Sequence, residues 1–320
     1  MKNKERLRAL GLYQERSGVW RAGWVESDGQ NLTGFGSYAE LETLDETAEA
    51  VEDSHDLVGL EIASGRGEAP DPQWLANRLN TPVVSDFRSN DLEFGGNGRP
   101  LSPFYLHAFA RSAELSGPTL FLDIGDKATL TWVNPDNPSP EDKDALVAFE
   151  AGPALDPLHG LLRARAIDMP SGGAVVDGAL ELFLDDPYFR RVPPKLVGED
   201  RFRLMLDLVL ELSDAEAYTT LCGMTATAIL LGLEHLPAQP RQVVLTGEGV
   251  DHPKLVPMIR AAMDVPVSTI EDFGADPCSV KAQAMAYLAI RSRVGLPTTS
   301  PNTTGVPAAI GGGRLFFPSH

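Results

Sequence analysis

Residues 119–133 read TLFLDIGDKATLTWV: an apolar run from Thr119 to Ile124, a turn at Gly125-Asp126-Lys127, and a second apolar run from Ala128 to Val133. Two β-rich runs around a short polar break with Gly predict a β-hairpin. The same order occurs near the start, as RALGLY (8–13), the tip Gln14-Glu15-Arg16-Ser17-Gly18, and VWRAGWV (19–25). Identities barely repeat, but length and order do, which predicts two similarly built halves.

Further strands are expected at Leu57–Ile62, Pro82–Val84, Ala145–Phe149, Gln242–Thr246 and Val265–Thr269. Helical spacing is expected over 72–79, 103–115, 176–184, 199–212, 253–263 and 280–294, and in a helix carrying Leu155, Leu158, Leu161 and Leu162. Another helix, 215–233, is preceded by the cap candidates Ser213 and Asp214. Residues 39–54 are acid-rich and read as a helix or solvated segment, and NPDNPSPEDKD (134–144) reads as a surface loop. The Gly/Pro/Thr-rich stretch 297–318 is expected to be packed loop with a short terminal strand. Alternating strands and helices predict an α/β protein with mixed sheets. The expected division is an N-terminal α/β domain over 1–117, rejoined by the tail at about 299–320, and a C-terminal α/β domain over 118–298.

The 320 residues are 43% hydrophobic and 22% charged, a globular balance, and the net charge of −18 argues against a nucleic-acid partner. Cys222 and Cys278 are far apart with no CxxC spacing, which points to a reducing compartment without structural zinc. MKNKERLRAL has no apolar run behind its charges, and no stretch has the length of a membrane span, so a cytoplasmic location is expected. There is no GxxxxGK[ST], HExxH or GxSxG, and the six histidines form no ligand-spaced pair. No metal site is therefore expected.

One stretch concentrates polar chemistry: DFRSNDLEFGGNGRPLSP, residues 86–103. Arg88 lies between Asp86 and Asp91, and Gly95, Gly96 and Gly98 follow. Arg donates a planar fork, Asp accepts from hydroxyls, and Gly lets backbone approach a ligand. The residues alone fit either a ligand loop or a salt-bridged turn.

The stretch resembles the DFRxxDxAxGGxGAPLxP signature of the anhydro-N-acetylmuramic acid kinases. Other matches follow in that family's order: LFLDIGDKATLTWV with NIGGIANLT, FEAGPALDPL (149–158) with FDTGPGNxLxD, and DPYFRRVPPKLVGEDRF (186–202) with PYFxxPPKSTGRExF. AYTTLCGMTATAI (217–229), VVLTGEGVDHPKL (243–255) and the tail from Leu288 to Pro318 complete the series, with His252 near the Asn of VCGGGAxNxxL.

The resemblance implies a two-domain actin-like ATPase (ribonuclease H-like) fold with an interdomain cleft. It implies ATP and Mg²⁺, a small sugar substrate, a homodimer and no membrane partner. The implied reaction opens a 1,6-anhydro ring with water and phosphorylates O6. Glu150 stands where the family has its catalytic Asp. Implied sugar-binding residues are Asp86, Arg88, Asp91, Gly95 and Gly96; implied nucleotide-binding residues are Ser17, Gly18, Gly125, Lys127, Gly152, Lys195, Gly247 and Gly249. Three acids fall at the phosphate turns (Glu15, Asp126 and Glu248), Lys281 replaces a helix acid, and the family's HGQT loop is replaced near Glu61–Gly65. Two readings follow: an active sugar kinase, or a catalytically degenerate relative that binds or regulates.

Overall fold

The computed structural model describes residues 5–46, 54–63 and 70–319. Contacts group the chain into two compact units, one of residues 1–117, 133–146 and 270–320, the other of 118–132 and 147–269.

In the first unit, β1 (Leu7–Gln14), β2 (Trp20–Ser27), β3 (Leu32–Ser37), β4 (Leu57–Ile62), β5 (Val83–Ser85) and β11 (Arg314–Phe316) form one sheet in the order β11-β5-β4-β1-β2-β3. β1 runs antiparallel to β2 and parallel to β4, so the sheet is mixed. Its helices are α1 (Pro72–Leu79), α2 (Ser89–Glu93), α3 (Pro103–Ser112), α9 (Val280–Arg293) and α10 (Pro301–Thr304).

A glycine stripe decides how α9 sits. Gly23, Gly11 and Gly59 are in register on β2, β1 and β4. A Cβ on Gly11 would lie 1.7 Å from the Ala282 carbonyl oxygen, and one on Gly59 would lie 2.1 Å from that of Met285. The helix backbone therefore rests directly on the sheet, and the alanines of α9 (Ala282, Ala284, Ala286, Ala289) are buried.

The second unit has β6 (Thr119–Ile124), β7 (Lys127–Val133), β8 (Leu146–Pro153), β9 (Gln242–Thr246) and β10 (Val267–Thr269), in the order β10-β9-β6-β7-β8. β6 is parallel to β9, and β9 to β10, while the two-residue connection of β6 to β7 requires an antiparallel return. Helices α4 (Leu155–Arg165), α5 (Asp177–Leu184), α6 (Glu199–Leu208), α7 (Asp214–Leu233) and α8 (Leu255–Ala262) pack around its core. Ser213 caps α7 in a reciprocal box with Glu216, satisfying two otherwise orphaned donors.

The α/β class with two mixed sheets and both hairpins are present as expected. Three features differ from the expectations. β3 was not anticipated, because LTGFGS is short and glycine-rich. Residues 270–298 group with the first unit, because α9 packs on β1, β2 and β4. The 134–144 loop does too, held by its backbone carbonyls: that of Asn137 meets His107 Nε2 at 3.0 Å, and that of Pro138 accepts from Arg111 at 2.7 Å. The acid-rich stretch 39–54 lies partly outside the described residues. Among those described, no helix is long and apolar enough to cross a membrane.

Candidate active site

Glu150 lies on β8, the strand that carries Phe149 and Ala151 into the core of the second unit, and it is itself buried. Its Oε2 accepts the Val197 N–H at 2.7 Å and lies 4.0 Å from Lys127 Nζ. Its own N–H donates to the Lys195 carbonyl, and its carbonyl accepts from the Tyr188 hydroxyl. Arg201 stacks on Tyr188 at 4.6 Å and pairs with Asp186 at 3.1 Å. Strand β8 and the Pro187–Val197 segment thus fix the carboxylate from both sides.

Lys195 is turned inward. Its Nζ donates to the Tyr188 and Phe189 carbonyls at 3.3 and 3.4 Å, and burial, aided by nearby Arg191, lowers its pKa to about 8. Gly152 has a packing role: a Cβ there would lie 2.8 Å from that of Ala228 on α7.

The turns at Gly125-Asp126 and Gly247–Gly249 meet at the carboxyl ends of β6 and β9, where open α/β sheets take ligands. Gly249 N–H donates to the Ile124 carbonyl at 2.9 Å. Gly247 has φ +90°, and a Cβ there would come within 2.5 Å of Asp123 Oδ1. The Gly125 and Asp126 carbonyls accept from Leu155 and Ala154 N–H at the start of α4. Glu248 is exposed. Beyond this turn, His252 Nδ1 accepts from the N–H groups of Lys254 and Leu255 at 3.3 and 3.0 Å, a cap for α8 such as an Asn would supply. The cap leaves Nε2 to carry the proton and donate to Tyr218 Oη at 2.8 Å.

In the first unit, the tip with Ser17 and Gly18 is a closed turn. Gly18 N–H donates to the Glu15 carbonyl, and Gln14 Nε2 to the Gly18 carbonyl. Glu15 does not add a bare negative charge, because Arg21 lies 3.5 Å away and is itself paired with Glu40.

The Asp86–Pro103 stretch divides into two parts. Asp86, at φ +62°, pairs with Arg314 at 3.2 Å and lines a cavity of about 420 Å³ with Ser89, Asn90, Glu93, Gly312 and Arg314. Asp91 faces inward: Oδ1 accepts Gly98 N–H at 2.7 Å and Oδ2 accepts the Thr304 hydroxyl. A Cβ on Gly96 would collide with Asp91, so that glycine makes room for the carboxylate, while one on Gly95 would meet open space. Arg88 donates to the Ile62 carbonyl at 3.0 Å and approaches Glu61 at 4.0 Å. Glu61 was not among the expected site residues. It is buried with Oε2 outside any hydrogen bond, and burial raises its pKa although Arg88 pulls the other way. Only its place in the rewritten HGQT position marked it in sequence. Tyr188, Arg201 and the Val197 N–H were also missed, although Tyr188 lies within the quoted PYF motif.

A mixed α/β protein with glycine turns at parallel strand ends and a buried, lysine-flanked carboxylate has the makings of a group-transfer enzyme. The model of the family described as anhydro-N-acetylmuramic acid kinase matches residues 68–318. A protein of that name from Ruegeria sp. (strain TM1040) is 42% identical over 92% of this chain and 90% of its own length. One from Cereibacter sphaeroides is 38% identical over 93% of this chain and 92% of its own. The chain belongs to the anhydro-N-acetylmuramic acid kinase family. The comparisons give no support to the reading as a degenerate relative.

Proposed function

We propose that this protein is an ATP-dependent kinase of anhydro-N-acetylmuramic acid. The observation that carries the reading is Glu150, a buried carboxylate at the position of the family's base, with one oxygen held by the Val197 N–H and beside Lys127. In the proposed reaction Glu150 takes a proton from a water whose oxygen attacks the anomeric carbon. The bond from that carbon to O6 breaks, O6 accepts the γ-phosphoryl group, and ADP leaves. Asp86 and Arg88 are proposed for the sugar. The backbone at Gly125, Gly247 and Gly249 is proposed for the phosphates, a reading supported by the position of these glycine turns at the carboxyl ends of the parallel strands β6 and β9.

Among the described residues, no group of three or more His, Cys, Asp or Glu is placed to hold a metal ion. Mg²⁺, on this reading, arrives on the nucleotide phosphates, as it does where one or two carboxylates and a substrate share it. The same reading makes the protein a cytoplasmic homodimer; light scattering of the purified chain tests the dimer, and fractionation of cells tests the location. For the activity, a coupled assay with ATP, Mg²⁺ and anhydro-N-acetylmuramic acid should show sugar-dependent ADP release. Absence of such release at saturating concentrations of both substrates would overturn the reading.

A further inference from the structure

Three departures from the family's motifs, distant in sequence, meet at one carboxylate. NIGGIANLT laid on Asp123–Thr131 places Lys127 at an Ile, FDTGPGN places Glu150 at an Asp, and PPKSTG places Val197 at a Thr. Glu150 Oε2 accepts the Val197 N–H at 2.7 Å, and Lys127 Nζ lies 4.0 Å from the same oxygen. Lys127 is fixed in turn, because its Nζ donates to the Val197 carbonyl at 3.4 Å and sits 5.6 Å from the Phe202 ring. Val197 therefore donates to Glu150 and accepts from Lys127, closing a three-residue ring. An Asp at position 150 would bring its carboxylate about one bond, ~1.5 Å, less far toward this N–H.

We propose that Lys127 is a positioning residue for Glu150 rather than a phosphate ligand, and that the three departures form one compensated unit that holds the longer carboxylate aimed. This rests on the reading of Glu150 as the base. Three other polar side chains of the neighbourhood have partners of their own. Lys195 Nζ donates to the Tyr188 and Phe189 carbonyls, Arg201 stacks on Tyr188 and pairs with Asp186, and the Tyr188 hydroxyl meets the Glu150 carbonyl rather than its carboxylate.

The test is Lys127→Met in the full chain, with Lys127→Arg as the charge-retaining control and Lys127→Gln in its place should the Met variant not fold. The kinase assay should show kcat lowered about tenfold or more, with KM for ATP and sugar within about twofold. Lys127→Arg should restore most of kcat. A raised KM for ATP with kcat unchanged would make Lys127 a phosphate ligand and overturn the proposal. A second readout needs no activity: in a crystal structure of Lys127→Met the Glu150 carboxylate should leave the Val197 N–H, and a carboxylate still held on that N–H overturns the proposal. If the wild type releases no ADP, the kinase reading fails while the structural comparison still decides the role of Lys127.

Discussion

Two buried carboxylates, one in each unit, are held in different ways, Asp91 by neutral donors and Glu150 beside a cation. Asp91 is enclosed by neutral donors of its neighbourhood, the Gly98 N–H and the Thr304 hydroxyl, and so ties the glycine loop to the tail. Glu150 Oε2 accepts the Val197 N–H and lies 4.0 Å from the charged Lys127 Nζ. Both lie in stretches that resemble the family's motifs, yet their surroundings differ. On the proposed function the carboxylate closed off by neutral donors belongs to the scaffold, and the one beside a cation within β8 belongs to the chemistry.

The sharpest way to break this comparison is at Glu150. Glu150→Gln keeps an acceptor for the Val197 N–H but removes the base. Loss of sugar-dependent ADP release by about 10³-fold is expected, with the melting temperature nearly unchanged. A variant that keeps most of its activity would move Glu150 into the scaffold class with Asp91.

Next in size is the glycine stripe that supports the Asp91 side of the molecule. Gly11→Ala places a methyl group against the Ala282 carbonyl, so a loss of about 3 kcal/mol or more in urea unfolding, or failure to fold, is expected. Full stability would mean that α9 can lift off the sheet.

Asp91→Ala should cost about 2 kcal/mol, because two buried donors lose their acceptor. Denaturant unfolding measures this, and kcat per folded molecule should persist. Loss of sugar affinity with full stability would place Asp91 in the site instead.

The smallest effect concerns His107, another buried group closed by its own neighbours. Burial lowers its pKa to about 4, against an ordinary value near 6.5. Between these values the unfolded chain takes up a proton that the folded chain refuses, so stability falls as pH drops from about 6.5 to 4. His107→Gln should flatten that part of the stability–pH curve, and an unaltered curve would show that His107 protonates freely in the fold.

Much of the fold was legible because it rests on side-chain patterns. Both hairpins followed from apolar runs broken by polar tips with Gly, and α7 from its Ser213 cap. What stayed hidden rests on backbone groups, which carry no residue-type signal. The Val197 N–H that fixes Glu150, and the Asn137 and Pro138 carbonyls that anchor an apparently free loop, are of this kind. Helix α9 is buried around most of its circumference, so its pattern could not say which sheet it serves. The charge of Glu15 looked hostile to phosphate because Arg21, six residues on, could not be placed beside it by sequence alone.

The most direct test of the central claim is the mass of the product formed from ATP and anhydro-N-acetylmuramic acid in ¹⁸O-water. The account predicts a sugar phosphate with the ring opened, one ¹⁸O at the anomeric carbon and none in the phosphate, absent from the Glu150→Gln reaction. A phosphorylated sugar with its anhydro ring intact, or the same product formed at full rate by Glu150→Gln, would contradict it.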